Sequence, residues 1–139
     1  MLKVFNTTVM RIVLSAYWAY LSVLLLSQDP TRWIGAPGHV PNLLRLLMPF
    51  AHMLSFSVLT AIALAARLPL PRWSIILSLA VYGALTEIVQ GVVPCRTPEW
   101  VDWLQDLAGI AIGLACFWFA TFFMRLAKKT DSLEVPYSS

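Results

Sequence analysis

Four long apolar runs dominate this sequence, and the segments between them are rich in proline, glycine or charged residues. A helix needs about 20 apolar residues to cross the ~30 Å hydrocarbon core of a bilayer. In lipid, a helix also satisfies its own backbone hydrogen bonds. The runs therefore predict an all-α fold, an integral membrane four-helix bundle formed by residues 1–139 as a single domain. Its spans are expected at about residues 9–26, 46–66, 73–93 and 104–124.

The charge content supports lipid as the solvent. Charged residues make up 12% of the chain and apolar residues 59%, with a mean hydropathy of +0.74. A soluble domain carries roughly 25% charged residues. The net charge of +3 is small and scattered, so nucleic acid is not expected as a partner. The expected location is a cell membrane, crossed several times, which is the plasma (inner) membrane if the cell is bacterial.

The distribution of lysine and arginine predicts the orientation of the bundle. With four spans, both termini and the connector at 67–72 lie on one side, which carries seven basic residues against three on the other. Basic residues accumulate on the cytoplasmic side of membrane proteins. Both termini are therefore predicted inside, and the two longer loops outside. The seven are Lys3, Arg11, Arg67, Arg72, Arg125, Lys128 and Lys129, and the three are Arg32, Arg45 and Arg96.

Polar side chains concentrate at the predicted outer ends of three different spans. His52 lies one to two turns inside the second span. Glu87 and Gln90, three residues apart near the end of the third, share a helix face. Asp102 and Asp106, four apart at the start of the last helix, do likewise. Because a charged group within a span costs at least a few kcal/mol, this coincidence predicts an extracytoplasmic polar binding site.

Two further features complete the predicted site. Arg96 lies in the outer loop between the third and fourth helices. Gly109 and Gly113 form a GxxxG pattern, which lets another helix approach closely and predicts that the acidic face of the fourth helix points into the bundle. The predicted binding residues are therefore His52, Glu87, Gln90, Arg96, Asp102 and Asp106, with Gly109 and Gly113 as packing residues.

These residues also have structural explanations. Glu87 and Gln90 can be polar contacts between helices, and Arg96 can simply neutralise the acids. Carboxylates outnumber cations in the cluster, so either some carboxyls are protonated or a cation binds there. Oxygen ligands with a single histidine suit Mg²⁺, Ca²⁺ or Mn²⁺ better than zinc. No cofactor or catalytic residue is assigned, because the sequence has no GxSxG, no HExxH and no nucleophile beside a base.

The polar pattern as a set resembles the VanZ-like family. The resemblance rests on the run YGALTEIVQ at 82–90, the His-aromatic stretch of His52 and Phe56, and then Arg96, Asp102, Asp106, Gly109 and Gly113. It extends over residues 48–120. Three positions depart from the family pattern. Met48 and Pro49 replace a common Asp-Lys pair, Asp106 stands where asparagine is common, and Thr86 where a second acid is frequent.

The resemblance implies a small integral membrane protein acting at the outer leaflet. The family is named for a member linked to resistance to the glycopeptide teicoplanin. A cell-envelope or glycopeptide-resistance-related role follows, through binding of a headgroup, a cell-wall precursor or a protein partner. Two alternatives remain open. One is a metal-dependent intramembrane enzyme acting on a lipid-linked substrate, and the other is an accessory subunit of a larger membrane complex.

Overall fold

A computed structural model describes residues 6–27, 50–93 and 99–131. Within these residues the chain is helical and contains no β-strand, which confirms the predicted all-α bundle. Three of the four helices are long and apolar enough to cross a membrane. The helices are α1 (Thr7–Leu26), α2 (Ala51–Ala65), α3 (Arg72–Gln90) and α4 (Trp100–Asp131).

Local sequence signals explain where the helices begin and end. The Asn6 side chain accepts a hydrogen bond from the Thr8 N–H at 2.9 Å and so caps the start of α1. After α2 the chain reverses at Arg67, whose positive φ of 48° permits the tight turn. Pro71 directly precedes α3, where a proline costs no helical hydrogen bond. Gly91 follows the last residue of α3.

Two helices differ in length from the predicted spans. The 15-residue α2 is about 22 Å long and begins at Ala51, and residues 46–49 of that span lie outside the described part. The 32-residue α4 is about 48 Å long and continues to Asp131. No proline or glycine lies between Gly113 and Asp131. The helix therefore continues past Met124, because the basic residues that anchor a span at the interface are themselves good helix formers.

Hydrogen bonds at both ends of the bundle establish an up-and-down arrangement. On α1, Arg11 donates to the carbonyls of Ala66 and Arg67, at 3.4 and 3.1 Å, just after α2 ends. At the opposite end, the Gln90 amide of α3 donates to the Leu25 carbonyl of α1 at 2.8 Å. We call the end with Arg11 and Arg67 the basic end, and the end with Leu25 and Gln90 the site end.

The closest packing in the bundle joins α2 to α4 through the GxxxG glycines. A Cβ placed on Gly109 would lie 2.4 Å from the Met53 carbonyl oxygen, and one on Gly113 would lie 2.4 Å from that of Ser57. Backbones can approach this closely only where side chains are absent. The apolar core beside this contact is small and is formed by Leu21, Leu25, Phe56, Leu59 and Ile110.

The outer surface of the bundle is largely apolar. Large side chains such as Ile12, Leu85 and Phe119 are more than half exposed. Glu87, Gln90 and Asp106, in contrast, are buried between the helices. This distribution, with apolar groups outside and polar groups inside, matches a protein whose solvent is lipid.

Replacing Gln90 by leucine should cost about 1 kcal/mol of unfolding free energy. The variant loses the interhelical hydrogen bond to Leu25, and such bonds inside membranes average about 0.6 kcal/mol and reach about 1.7. The check is equilibrium unfolding in detergent micelles. Thr121→Val is the control, because among the described residues the Thr121 hydroxyl donates to the Trp118 carbonyl of its own helix. Equal stability of the two variants would show that the Gln90 bond does not hold α1 in place.

Candidate functional site

The fold brings the first turns of α2 and α4 against the last turn of α3. His52 is the second residue of α2, Asp102 and Asp106 lie on the first two turns of α4, and Glu87 lies three residues before the end of α3. Because α2 and α4 run parallel to each other and antiparallel to α3, these turns meet at the site end. We call His52, Glu87, Asp102 and Asp106 the polar cluster.

His52 lies between two aspartates of α4. Its Nδ1 is 3.0 Å from Asp106 Oδ1, which is hydrogen-bond distance. Its Nε2 is 3.7 Å from Asp102 Oδ2. With an ionised Asp106, Nδ1 carries the proton and donates it to the carboxylate. The other ring nitrogen then faces Asp102 across a short gap.

Glu87 completes the cluster from α3. Its Oε2 accepts a hydrogen bond from the backbone N–H of Glu99, at 3.1 Å, just before α4 begins. Its Oε1 is buried and has no hydrogen-bond partner among the described residues, and the residue is 4% exposed. A buried carboxylate oxygen without a partner is costly. One ligand atom each from Glu87, His52 and Asp102 lies within 4.8 Å of the other two.

The cluster opens toward one side. Asp106 is completely buried, the His52 side chain is 13% exposed, and that of Asp102 is 26% exposed. In the same first turn of α4, the rings of Trp100 and Trp103 meet edge to face at 6.3 Å. Tryptophans favour the membrane–water interface. The opening at Asp102 is therefore expected close to that interface.

Other predicted site residues are placed differently. Gln90 is 1% exposed, and its amide bonds the carbonyl of Leu25, so it joins α3 to α1. Arg96 lies outside the described residues. Gly109 and Gly113 contact the α2 backbone and hold the acidic face of α4 against His52. On this acidic face of α4, Asp106 is fully buried.

Three residues beside the cluster were not identified from the sequence. A Cβ on Gly83 would lie 2.7 Å from Asp106 Oδ2, so Gly83 makes room for that carboxyl. The Gln105 amide donates to Asp102 Oδ1 at 3.4 Å, and its own oxygen is buried without a partner in the described part. Trp103 Nε1 donates to the Ala80 carbonyl at 3.2 Å and ties α4 to α3. The sequence spacing could have identified two of them. Gly83 precedes Glu87 by four residues and Gln105 follows Asp102 by three, and residues at these spacings share a helix face.

The charges of the cluster are not balanced among its own members. Three carboxyl groups surround one imidazole, so ionised carboxylates leave an excess of negative charge even when His52 is protonated. In a site partly removed from water this excess is unfavourable. The arrangement is therefore suited to bind cationic or polar hydroxyl-bearing groups, and an anionic group only together with a cation.

The fold and the cluster define a helical membrane protein with polar residues buried at one end of the bundle. A family model described as VanZ/LLP1 matches residues 7–123, a range that includes α1, α2, α3 and most of α4. The chain belongs to the VanZ/LLP1 family. Comparison with curated proteins found no match, and comparison with solved structures found none either.

Proposed function

We propose that this VanZ-family membrane protein binds the polar headgroup of a lipid or lipid-linked cell-wall precursor in the polar cluster, at the extracytoplasmic surface. One observation carries the proposal: ligand atoms of His52, Glu87 and Asp102, from three different helices, lie within 4.8 Å of one another. Charged groups at such depth are costly unless they have a use.

The opening of the cluster favours a headgroup over a freely soluble ligand. Asp102 lies at the opening, next to Trp100 and Trp103, at the level where headgroups lie. A lipid-linked molecule is already concentrated at this depth. The excess of seven basic residues over three supports placing the site end on the outer side, where cell-wall precursors are used. This location is the basis for proposing a cell-envelope role, and its relation to glycopeptide resistance is what the family resemblance implies.

The test is native mass spectrometry of gently solubilised protein, comparing wild type with Glu87→Gln. Wild type should carry an adduct whose mass identifies the headgroup class. The variant should hold it about 10–100-fold more weakly, since a hydrogen bond to a charged group contributes about 1.5–3 kcal/mol. If the folded variant keeps the same adduct at the same occupancy, the polar cluster is not the binding site.

A matched control separates this site from the opposite end of the bundle. A groove of about 1060 Å³ at the basic end is lined by apolar side chains and by basic ones that include Arg72, Arg125 and Lys128. Anionic lipids are retained in such basic grooves. An adduct that disappears in Lys128→Gln but survives in Glu87→Gln therefore belongs to the groove and does not support the proposal.

A metal-dependent enzyme acting on a lipid-linked substrate is the second candidate. It is favoured by the same three potential ligands together with the Asp106–His52 hydrogen bond, because metal-bound histidines in enzymes commonly have a carboxylate on their other nitrogen. Turnover of a lipid-linked substrate by wild type, lost in a folded Asp102→Asn variant, would support catalysis over binding alone.

A further inference from the structure

We propose that the polar cluster binds one divalent cation through His52 Nε2, Glu87 Oε1 and Asp102 Oδ2, with Asp106 as a positioning residue that orients His52. The inference rests on the proposed function, because the cation would be the means by which an acidic site holds an anionic headgroup. The ligands come from α2, α3 and α4, so the cation would also join three helices.

The orientation of His52 is the first argument for the cation. A metal-bound histidine almost always donates its second N–H to a carboxylate, carbonyl or water. Here Nδ1 is 3.0 Å from Asp106 Oδ1, and Asp106 is fully buried. With Asp106 ionised, this contact holds the proton on Nδ1. The lone pair of Nε2 is thereby directed toward Asp102, whose Oδ2 is 3.7 Å away.

The unpartnered oxygen of Glu87 is the second and independent argument. Glu87 is 4% exposed and its Oε2 is occupied by the Glu99 N–H. Its Oε1 has no partner in the described part of the chain. Buried polar atoms are nearly always satisfied by protein, water or an ion. A cation between Glu87, His52 and Asp102 satisfies this oxygen and offsets the excess of negative charge.

The distances fit a small cation after slight closure. One potential ligand atom from each of the three residues lies within 4.8 Å of the other two. Two ligands at about 2.1 Å on opposite sides of one cation are separated by about 4.2 Å. A pair at the upper limit therefore closes by roughly half an ångström. Asp102 is the most exposed of the three, so we expect its side chain to make this movement.

The ligand set selects among divalent cations. Two carboxylates suit Mg²⁺, Ca²⁺ and Mn²⁺, whereas an imidazole suits transition metals. One nitrogen with two carboxylate oxygens therefore favours Mn²⁺ over Ca²⁺ and Mg²⁺, a narrower choice than the sequence allowed. Three protein ligands leave positions open on the cation. A phosphate oxygen of a headgroup can occupy such a position at the opening beside Asp102.

The experiment uses Mn²⁺ itself as the probe. Full-length protein in nanodiscs of neutral lipid is stripped with a chelator, then titrated with Mn²⁺ and followed by electron paramagnetic resonance. We expect one bound Mn²⁺ per chain, with hyperfine coupling to a single imidazole nitrogen. His52→Gln should remove that coupling and weaken binding by more than about 100-fold, the upper end of the loss caused by an outer-sphere change. Asp106→Asn should weaken it by about 10–100-fold.

Two comparisons make the outcome decisive. Asp131→Asn is the matched control for Asp106→Asn, because it makes the same substitution at the far end of α4. It should leave Mn²⁺ affinity unchanged. The proposal is overturned if folded wild type does not bind Mn²⁺. It is also overturned if wild type binds Mn²⁺ without nitrogen coupling and His52→Gln binds it equally well. Native mass spectrometry with chelator present separates it from the headgroup proposal. If a headgroup adduct survives chelation and is lost in Glu87→Gln, the headgroup proposal stands and the cation proposal fails.

Discussion

Replacing Gly109 by alanine is expected to destabilise the bundle by about 3 kcal/mol, the upper end of the usual cost of overpacking. The new Cβ would lie 2.4 Å from the Met53 carbonyl oxygen and 2.9 Å from Phe56 Cβ. The carbonyl is part of the α2 backbone and cannot rotate away. The two helices must therefore separate, and contacts are lost along their whole interface, including the His52–Asp106 hydrogen bond.

The measurement is the free energy of unfolding in mixed micelles, compared with Gly91→Ala. Gly91 carries the same substitution at an exposed position with a helical φ of −61°, which alanine readily adopts. Gly113→Ala should behave like Gly109→Ala, because its Cβ would lie 2.4 Å from the Ser57 carbonyl oxygen. A cost below about 0.5 kcal/mol at both glycines would mean that α2 and α4 are not this close.

Depth in the membrane could be predicted from the sequence because it follows from length. A span has a fixed rise per residue, so His52, Glu87 and Asp102 could be assigned to one level from their distances to the ends of their apolar runs. Small residues then indicated the face of α4 that contacts another helix. The four-helix fold and the juxtaposition of polar groups at one end both follow from these two regularities.

Rotation about the helix axis could not be predicted to the same accuracy. Residues three apart share a broad face, yet they differ by about 60° around the axis. Since α3 contacts both α1 and α4, this angle is enough to direct Glu87 toward Glu99 and Gln90 toward Leu25. The sequence placed both in one cluster because a pair spacing does not state which neighbour each residue meets.

The C-terminal end of α4 also could not be predicted from the sequence. Basic residues mark where a span leaves the hydrocarbon, but leaving lipid does not require a helix to stop. Arg125, Lys128 and Lys129 are compatible with helix, and no proline or glycine lies between them and Asp131, where α4 ends. Only a residue that disrupts the backbone pattern, such as a proline, would have ended it earlier.

A double-mutant cycle on His52 and Asp106 should give a coupling energy of about 1.5–3 kcal/mol. The pair is a buried contact of 3.0 Å between an imidazole and a carboxyl group, and hydrogen bonds to charged groups lie in this range. Each single alanine variant leaves its partner unsatisfied inside the bundle. The double variant should therefore cost less than the two single variants added together.

The matched control is the hydroxyl pair of Ser22 and Tyr82, which joins α1 to α3 at 2.8 Å. Both partners are neutral, so Ser22→Ala with Tyr82→Phe should give a coupling near the membrane average of about 0.6 kcal/mol. The comparison decides what Asp106 does. Coupling well above that of the control means that the buried carboxyl fixes the ring of His52 and thereby directs Nε2 into the cluster. Equal couplings would reduce the His52–Asp106 contact to an ordinary interhelical hydrogen bond, and the polar cluster would lose the residue that organises it.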